Sequence, residues 1–436
     1  MLGQPASLRL VADIEAGVLA QAMLFQGPSV SGKGTAALEL GRAISCEALK
    51  AEWNCLCPAC SRHRIIVHPD LLCMGPKSFS MEIAASAGAL SRENNTGPAR
   101  ILFIRSIRKL LARFNPVLWE DDPRGSKILP LANSLEEALD ELDSMEGGPQ
   151  VKFIDEMVKD AYKLESEGMG ETIPIGQLRR AAYWGRLAPA GRAKLLVIEN
   201  ADRMQDEARN SLLKLLEEPP PRLYCVLTSS RPGSLLPTIV SRLRPYSFIS
   251  RDAAAEREVI RRVFRDESGV TNLSGYLDSF LPVSGAVLDA LAAFFAASVA
   301  CKAVLISKKQ GRSPPAAVLL LENQAATKAE EAGLGRPKGE AAELIPLIIG
   351  KAENFEIRSM FSHFLGCVLE QVSLGQRYTG SGDAENPPSN LPGPLYNEMW
   401  KKGINWAASA VLTYNLRPAQ VLEKLFTDIS RGMAES

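Results

Sequence analysis

Gly27-Pro28-Ser29-Val30-Ser31-Gly32-Lys33-Gly34-Thr35 decides how the first half of this chain is read. It is Gly-x4-Gly-Lys, with an extra glycine before the threonine, directly behind the apolar run Ala22-Met23-Leu24-Phe25-Gln26. Downstream, Ala37, Leu40, Gly41 and Ile44 recur at the spacing of a helix with one buried face. Strand, glycine-rich turn and helix start form a phosphate-binding loop. In such a loop, backbone N–H groups and the positive helix end cradle phosphates while a lysine neutralises the outer ones. Gly27, Ser31, Gly32, Lys33, Gly34 and Thr35 are therefore candidate nucleotide contacts.

Two further strand-like runs lie downstream. Lys194-Leu195-Leu196-Val197-Ile198 ends in Glu199-Asn200-Ala201-Asp202, and a helix with Ala208, Leu212, Leu215 and Leu216 on one face follows, stopped by Pro219-Pro220-Pro221. Leu223-Tyr224-Cys225-Val226-Leu227 leads into Thr228-Ser229-Ser230. Strands alternating with helices predict an α/β core with a parallel sheet over residues 1–250, its ligand at the strands' C-terminal ends. Glu199 and Ser229 stand at those ends and join the candidate site.

The core is interrupted over about 78–170 by helical patterns without strands. Ile101 to Phe114 buries Phe103, Ile107, Leu110 and Phe114 and carries Arg105, Arg108, Lys109 and Arg113 elsewhere. That basic surface reads as a solvated face in preference to a nucleic-acid contact. A second helix is expected to open at the capping box Ser134-Leu135-Glu136-Glu137, and a third to run from Val151 to Glu167. After residue 250 helical patterns dominate, with Phe355, Phe361, Phe364 and Val368 in one and Trp400, Ile404, Ala407 and Val411 in another. Loops are expected at Ala325–Gly339 and Gly380–Pro394. The expected division is 1–250, a small helical domain over 251–298 and an all-helical domain over 299–436.

The 436 residues suit two or three domains, and 46% hydrophobic with 23% charged content is that of an ordinary globular protein. Fifty basic residues balance fifty acidic ones, so no global charge favours nucleic acid. With neither an evident membrane span nor a signal peptide, the chain is expected in the cytoplasm with no membrane partner. There its eight cysteines read as metal ligands or buried thiols. Cys46, Cys55, Cys57 and Cys60 supply the four thiolates of a closed structural zinc site; the Cys55-x-Cys57 pair is tight for one metal, and His63 is a possible substitute.

Taken together these pieces resemble the delta-prime and gamma/tau clamp-loader subunits of bacterial DNA polymerase III, of the AAA+ class. The likeness is carried by Cys60 followed by His68-Pro69-Asp70, by Ile175 to Lys194, and above all by Asn210-Ser211-Leu212-Leu213-Lys214-Leu215-Leu216-Glu217-Glu218-Pro219-Pro220. Thr238-Ile239-Val240-Ser241-Arg242 is similar to the family's Ser-Arg-Cys segment, and Asn415 to Leu425 to its last collar helix. The likeness covers nearly all the chain outside 78–170. It implies an AAA+ P-loop domain, a helical lid over 251–298 and an oligomerising collar over 299–436. It also implies ATP or ADP with Mg²⁺ as ligand, structural Zn²⁺, and Arg242 as an arginine finger acting in trans. The implied partners are gamma/tau and delta subunits, the sliding clamp, and primer-template DNA reached through the assembled complex.

The departures are specific. The family's motors carry Asp-Glu where this chain has Glu199-Asn200, and Asn200 cannot act as a base. Leu288, within Gly285 to Leu291, stands where the resemblance places a sensor arginine. An intact finger beside a damaged site implies a delta-prime-like subunit that binds nucleotide and hydrolyses it weakly or not at all. The alternatives are an active gamma/tau-like ATPase and a P-loop nucleotide kinase, whose Gly-Lys-Gly-Thr is similar; the kinase reading leaves the Glu-Glu-Pro-Pro string and the cysteines without purpose.

Overall fold

The computed structural model describes residues 3–48, 51–93, 97–145, 150–170, 172–204, 206–280, 285–341, 346, 348, 357–377, 393–412, 414 and 416–435. The chain divides into two compact units, Met1–Phe280 and Leu281–Ser436.

The first unit is built on a parallel sheet of five strands among the described residues: β1 (Ala22–Gln26), β2 (Leu71–Met74), β3 (Lys194–Ile198), β4 (Leu223–Ser229) and β5 (Arg244–Ser247). Their order is β2-β3-β4-β1-β5, with Ala22 opposite Cys225, Met23 opposite Arg244, Leu71 opposite Leu195 and Lys194 opposite Leu223. The strands read as unbroken apolar runs because both faces are covered. Leu24, Leu72, Met74, Leu196, Ile198 and Leu227 point into one core. Met23, Phe25, Cys73, Leu195, Val197 and Val226 point into the other, against the helices Pro5–Glu15 and Lys33–Ser45.

The strandless insertion is present as the helices Ser80–Arg92, Gly97–Leu111, Pro116–Trp119, Gly125–Ser144 and Val151–Gly168. Its two ends are joined by Glu165, whose carboxylate accepts the N–H groups of Ser78 and Phe79 at 2.8 Å each and the Ser80 hydroxyl. The expected capping box does not cap. Gly125–Ser144 is one helix, and the Ser134 hydroxyl bonds back to the Pro130 carbonyl inside it at 3.1 Å. Helices Ala253–Val263 and Leu273–Asp278 close the unit, packing Ile260, Phe264, Leu273 and Tyr276 against Ala85.

The second unit contains helices Gly285–Lys309, Ala316–Glu331, Ile357–Arg377, Gly393–Leu412 and Pro418–Glu435. The anticipated boundary at 298/299 falls inside the first of these. That helix is long and apolar enough to cross a membrane by length and composition, contrary to the sequence expectation, with a mean hydropathy of 2.0 over its most apolar 18 residues. Its most apolar window is 72% buried, apolar on all sides as suits the centre of a helical bundle. Residues 325–331, expected as loop, continue the helix from Ala316. Phe355, most of the Gly380–Pro394 loop, and Asn415 lie outside the described residues.

Candidate functional site

The loop after β1 is shaped by backbone conformations that few side chains tolerate. Gly27, at φ +149°, donates its N–H to the Ser229 carbonyl at 3.1 Å, and a Cβ there would lie 2.2 Å from the Phe248 carbonyl oxygen. Gly32, at φ +91°, turns the chain into the helix beginning at Lys33, so the amides of Lys33, Gly34 and Thr35 open that helix's N-terminus. Val30 is held at φ +54°, a strained value for a β-branched residue. The Arg251 guanidinium braces this turn, reaching the Val30 carbonyl at 2.9 Å and the Ser31 carbonyl at 3.1 Å. Lys33 folds back into the loop. Its Nζ donates to the carbonyls of Gly27 at 2.7 Å and Pro28 at 2.5 Å, and lies 3.3 Å from the Ser31 hydroxyl, which itself bonds Pro28. Burial lowers the Lys33 pKa to about 8, against the opposing pull of Asp202 and Glu199.

Glu199 follows β3 and meets the loop: a Cβ on Gly34 would lie 2.5 Å from its Oε1. Its other oxygen is paired with Arg113 at 2.6 Å. Asn200 adopts a left-handed conformation at φ +48° and donates its N–H to the Thr228 hydroxyl at 3.1 Å. Ser229 is fully buried, and its hydroxyl donates to Asp202 Oδ1 at 2.8 Å. Arg231 takes Asp202 Oδ2 at 3.1 Å. Both carboxylates beside the loop are thus matched by arginines. Arg242 is paired with Glu217 at 2.6 Å and donates to the Thr238 carbonyl, with about a third of its side chain exposed. Leu288 is buried in the second unit's core beside Leu291.

The basic helix is neither a solvated face nor a free cationic stripe. Arg108 meets Glu136 at 3.3 Å and Asp140 at 3.1 Å, Lys109 pairs with Glu82, and Arg113 lies beneath the sheet edge against Glu199. Periodicity located the helix without showing which charges turn inward.

The ligand atoms of Cys46, Cys55, Cys57 and Cys60 all lie within 4.8 Å of one another, and the sulfurs of Cys46 and Cys55 are 3.6 Å apart. Four thiolates around one zinc at about 2.3 Å stand roughly 3.8 Å from each other, so the donor set fits a tetrahedral metal. Cys57 caps the helix Pro58–Arg64 and accepts the Cys60 N–H at 3.4 Å. Burial raises the Cys57 thiol, but hydrogen bonds from Glu47, Cys60 and Cys55 outweigh it and bring its pKa to about 6. Arg42, on the phosphate-loop helix, donates to Cys60 Sγ at 3.3 Å and to the carbonyls of Ala51 and Glu52, tying the two sites together. His63 is not in the cluster: it stacks on His68, 4.2 Å between ring centres.

Residues 3–115 and 134–252, more than half of the chain, match the family described as DNA polymerase III, delta subunit. The chain belongs to this family. A DNA polymerase III subunit delta-prime of Pseudomonas aeruginosa is 34% identical over 127 residues, covering 29% of this chain and 37% of the relative. The delta-prime subunit of Bacillus subtilis is 38% identical over 85 residues, 18% of this chain and 26% of its own. A gamma/tau subunit of Mycobacterium tuberculosis is 26% identical over 117 residues, 27% of this chain and 20% of its own. The matched stretches therefore span little more than a third of the P. aeruginosa subunit and less of the others.

The match with the delta-subunit family runs through most of the insertion, which was expected to lie outside the likeness, leaving out 116–133 of it; its matched residues end at 252. It takes in the phosphate loop, the cysteines and the Glu-Glu-Pro-Pro string together, which the kinase alternative left apart. Three residues of the site carried no motif: Arg113, Asp202 and Arg251. Asp202 alone had a signal, standing three places after Glu199.

Proposed function

We propose that this chain is a delta-prime-like subunit of the DNA polymerase III clamp loader, holding nucleotide in its own phosphate loop without hydrolysing it efficiently. The observation that carries the reading is the end of β3, where Glu199 is engaged by Arg113 and the next residue is Asn200, so no carboxylate stands ready to orient an attacking water. In this reading residues 1–250 are an AAA+ domain, the helices over 253–278 belong to its lid, and the second unit is the oligomerising collar. The four cysteines hold a structural zinc that keeps the loop after the phosphate-loop helix closed. The chain works in the cytoplasm.

Arg242 then supplies the chemistry that leaves the subunit. A permanently charged, planar guanidinium suits the charge that develops on a transferring phosphoryl group. Glu217 holds it in position and releases it to a neighbouring subunit's ATP. The partners are gamma/tau and delta subunits, with the sliding clamp and primer-template DNA met by the assembled complex. Reconstitution with gamma/tau and delta subunits tests the reading. Arg242→Ala is expected to assemble normally and to lower DNA-stimulated ATP turnover by roughly tenfold or more. An assembled complex indifferent to Arg242, or Lys33-dependent turnover by the chain alone, would overturn it.

A further inference from the structure

Arg113 lies in the short 3-10 turn Ala112–Phe114 that follows the insertion's basic helix, buried, 2.6 Å from Glu199 Oε2. Its place is fixed from several sides. Nη1 donates to the Lys109 carbonyl at 3.0 Å, the guanidinium lies 4.9 Å from the centre of the Phe79 ring, and the residue's own carbonyl accepts the Trp119 indole N–H at 2.9 Å. A charge so enclosed does not swing away to make room. Glu199 in turn has its second oxygen pressed toward Gly34, at the mouth of the phosphate loop. Asp202, the other carboxylate at the loop, is held by Ser229 and Arg231.

A phosphate-loop site usually takes its nucleotide with a divalent cation, held by a loop hydroxyl and by a carboxylate at the end of the neighbouring strand. Here the carboxylate in that position is already neutralised by a fixed cation. A metal bound to Glu199 would sit within a few ångströms of the buried Arg113 guanidinium, where like charges repel more strongly than in open water. The residues present therefore do not fit a divalent ion. We propose that this phosphate site binds nucleoside di- or triphosphate without a divalent cation, Arg113 being the positioning residue that keeps Glu199 occupied. This rests on the nucleotide-holding reading above.

Titration of the full-length chain with a fluorescent ATP analogue tests it, in magnesium buffer and in buffer stripped of divalent ions by resin, since a soluble chelator would also attack the cysteine centre. The wild-type affinities are expected to agree within about twofold, whereas Arg113→Gln, which frees Glu199, is expected to bind at least about tenfold more tightly with magnesium than without. Arg113→Lys keeps a cation beside Glu199 and is expected to stay indifferent to magnesium. A purely structural role for Arg113 would lower stability without creating a metal dependence, and circular dichroism separates the two. A wild-type chain whose affinity rises about tenfold with magnesium overturns the inference and leaves the nucleotide-holding reading intact. An Arg113→Gln chain that folds and stays indifferent also overturns it. If the wild type binds no nucleotide in either buffer, the nucleotide-holding reading falls and this inference with it. Should Arg113→Gln fail to fold, the wild-type comparison alone still decides.

Discussion

Lys33 keeps its charge in an environment that disfavours it. Its pKa of about 8 lies below the ordinary 10.5, because burial outweighs the attraction of Asp202 and Glu199. Between those values the unfolded chain binds more protons at this residue than the folded chain, so its contribution to stability rises with pH across the window. Below pH 8 the burial penalty is present in full. Lys33→Met, which removes the amine and keeps the stem, is accordingly expected to stabilise the chain most at pH 7, with the advantage over wild type shrinking by pH 10 in urea unfolding. A constant difference at both pH values would contradict the assignment. Nucleotide affinity should move the other way, falling from pH 7 to 9 as the amine loses its proton. Lys33 was legible in the sequence because its motif is local. Arg113 was not, because its partner lies 86 residues away in the chain, on the far side of most of the insertion. The charges of an amphipathic helix show that it is a helix and leave open which of them a distant strand will neutralise.

The same limit explains which elements could be read. β1, β3 and β4 are buried and declare themselves as apolar runs. β5 is an edge strand, Arg-Pro-Tyr-Ser, with Tyr246 alone fully buried, and its pattern carries no strand signal. The Ser134 box failed because a capping signature is meaningful only where the chain enters a helix, and here a helix had begun nine residues earlier at Gly125. Helix Val151–Gly168 ends at a glycine for a reason of packing: a Cβ on Gly168 would lie 2.4 Å from the Phe114 ring and 3.0 Å from Ile128. Gly168→Ala should therefore destabilise the chain by about 1–3 kcal/mol, as overpacking does. Because Phe114 is the neighbour of Arg113, that crowding should also disturb the ion pair with Glu199. Denaturant midpoints for Gly168→Ala and for Gly366→Ala, which has open space around it, provide the comparison.

Each of the two units has its own apolar core, and none of the clusters in the first shares a residue with that of the second. Calorimetry is expected to show two unfolding transitions. Phe295 is fully buried in the second unit, edge-on to Phe364 at 5.7 Å and to Phe426 at 6.4 Å. Phe295→Ala should cost about 3–5 kcal/mol and lower one transition, whereas removing the zinc proposed for the cysteine cluster should lower only the other. A single transition displaced by both treatments would contradict this. The division was only half visible in the sequence. A change from strands to helices shows near residue 250, but the two short helices that follow it return to Ala85, so the physical break comes later, after Phe280.

The strand order carries a consequence for how the chain is made. β1 ends at residue 26, yet its two partners are β4 and β5, which end at Ser229 and Ser247. At a bacterial synthesis rate of about 5–20 residues per second, this apolar strand waits roughly ten to forty seconds for its first neighbour. Throughout that interval both of its edges are unpaired, the situation that invites aggregation and slow closure of distant contacts. The insertion helices leave the ribosome during the wait, before either partner of β1 exists. The nascent chain must keep Met23, Leu24 and Phe25 away from other molecules until residue 229 emerges. That connectivity leads us to expect poor recovery from denaturant, improved by added chaperone; full unaided refolding would contradict the expectation.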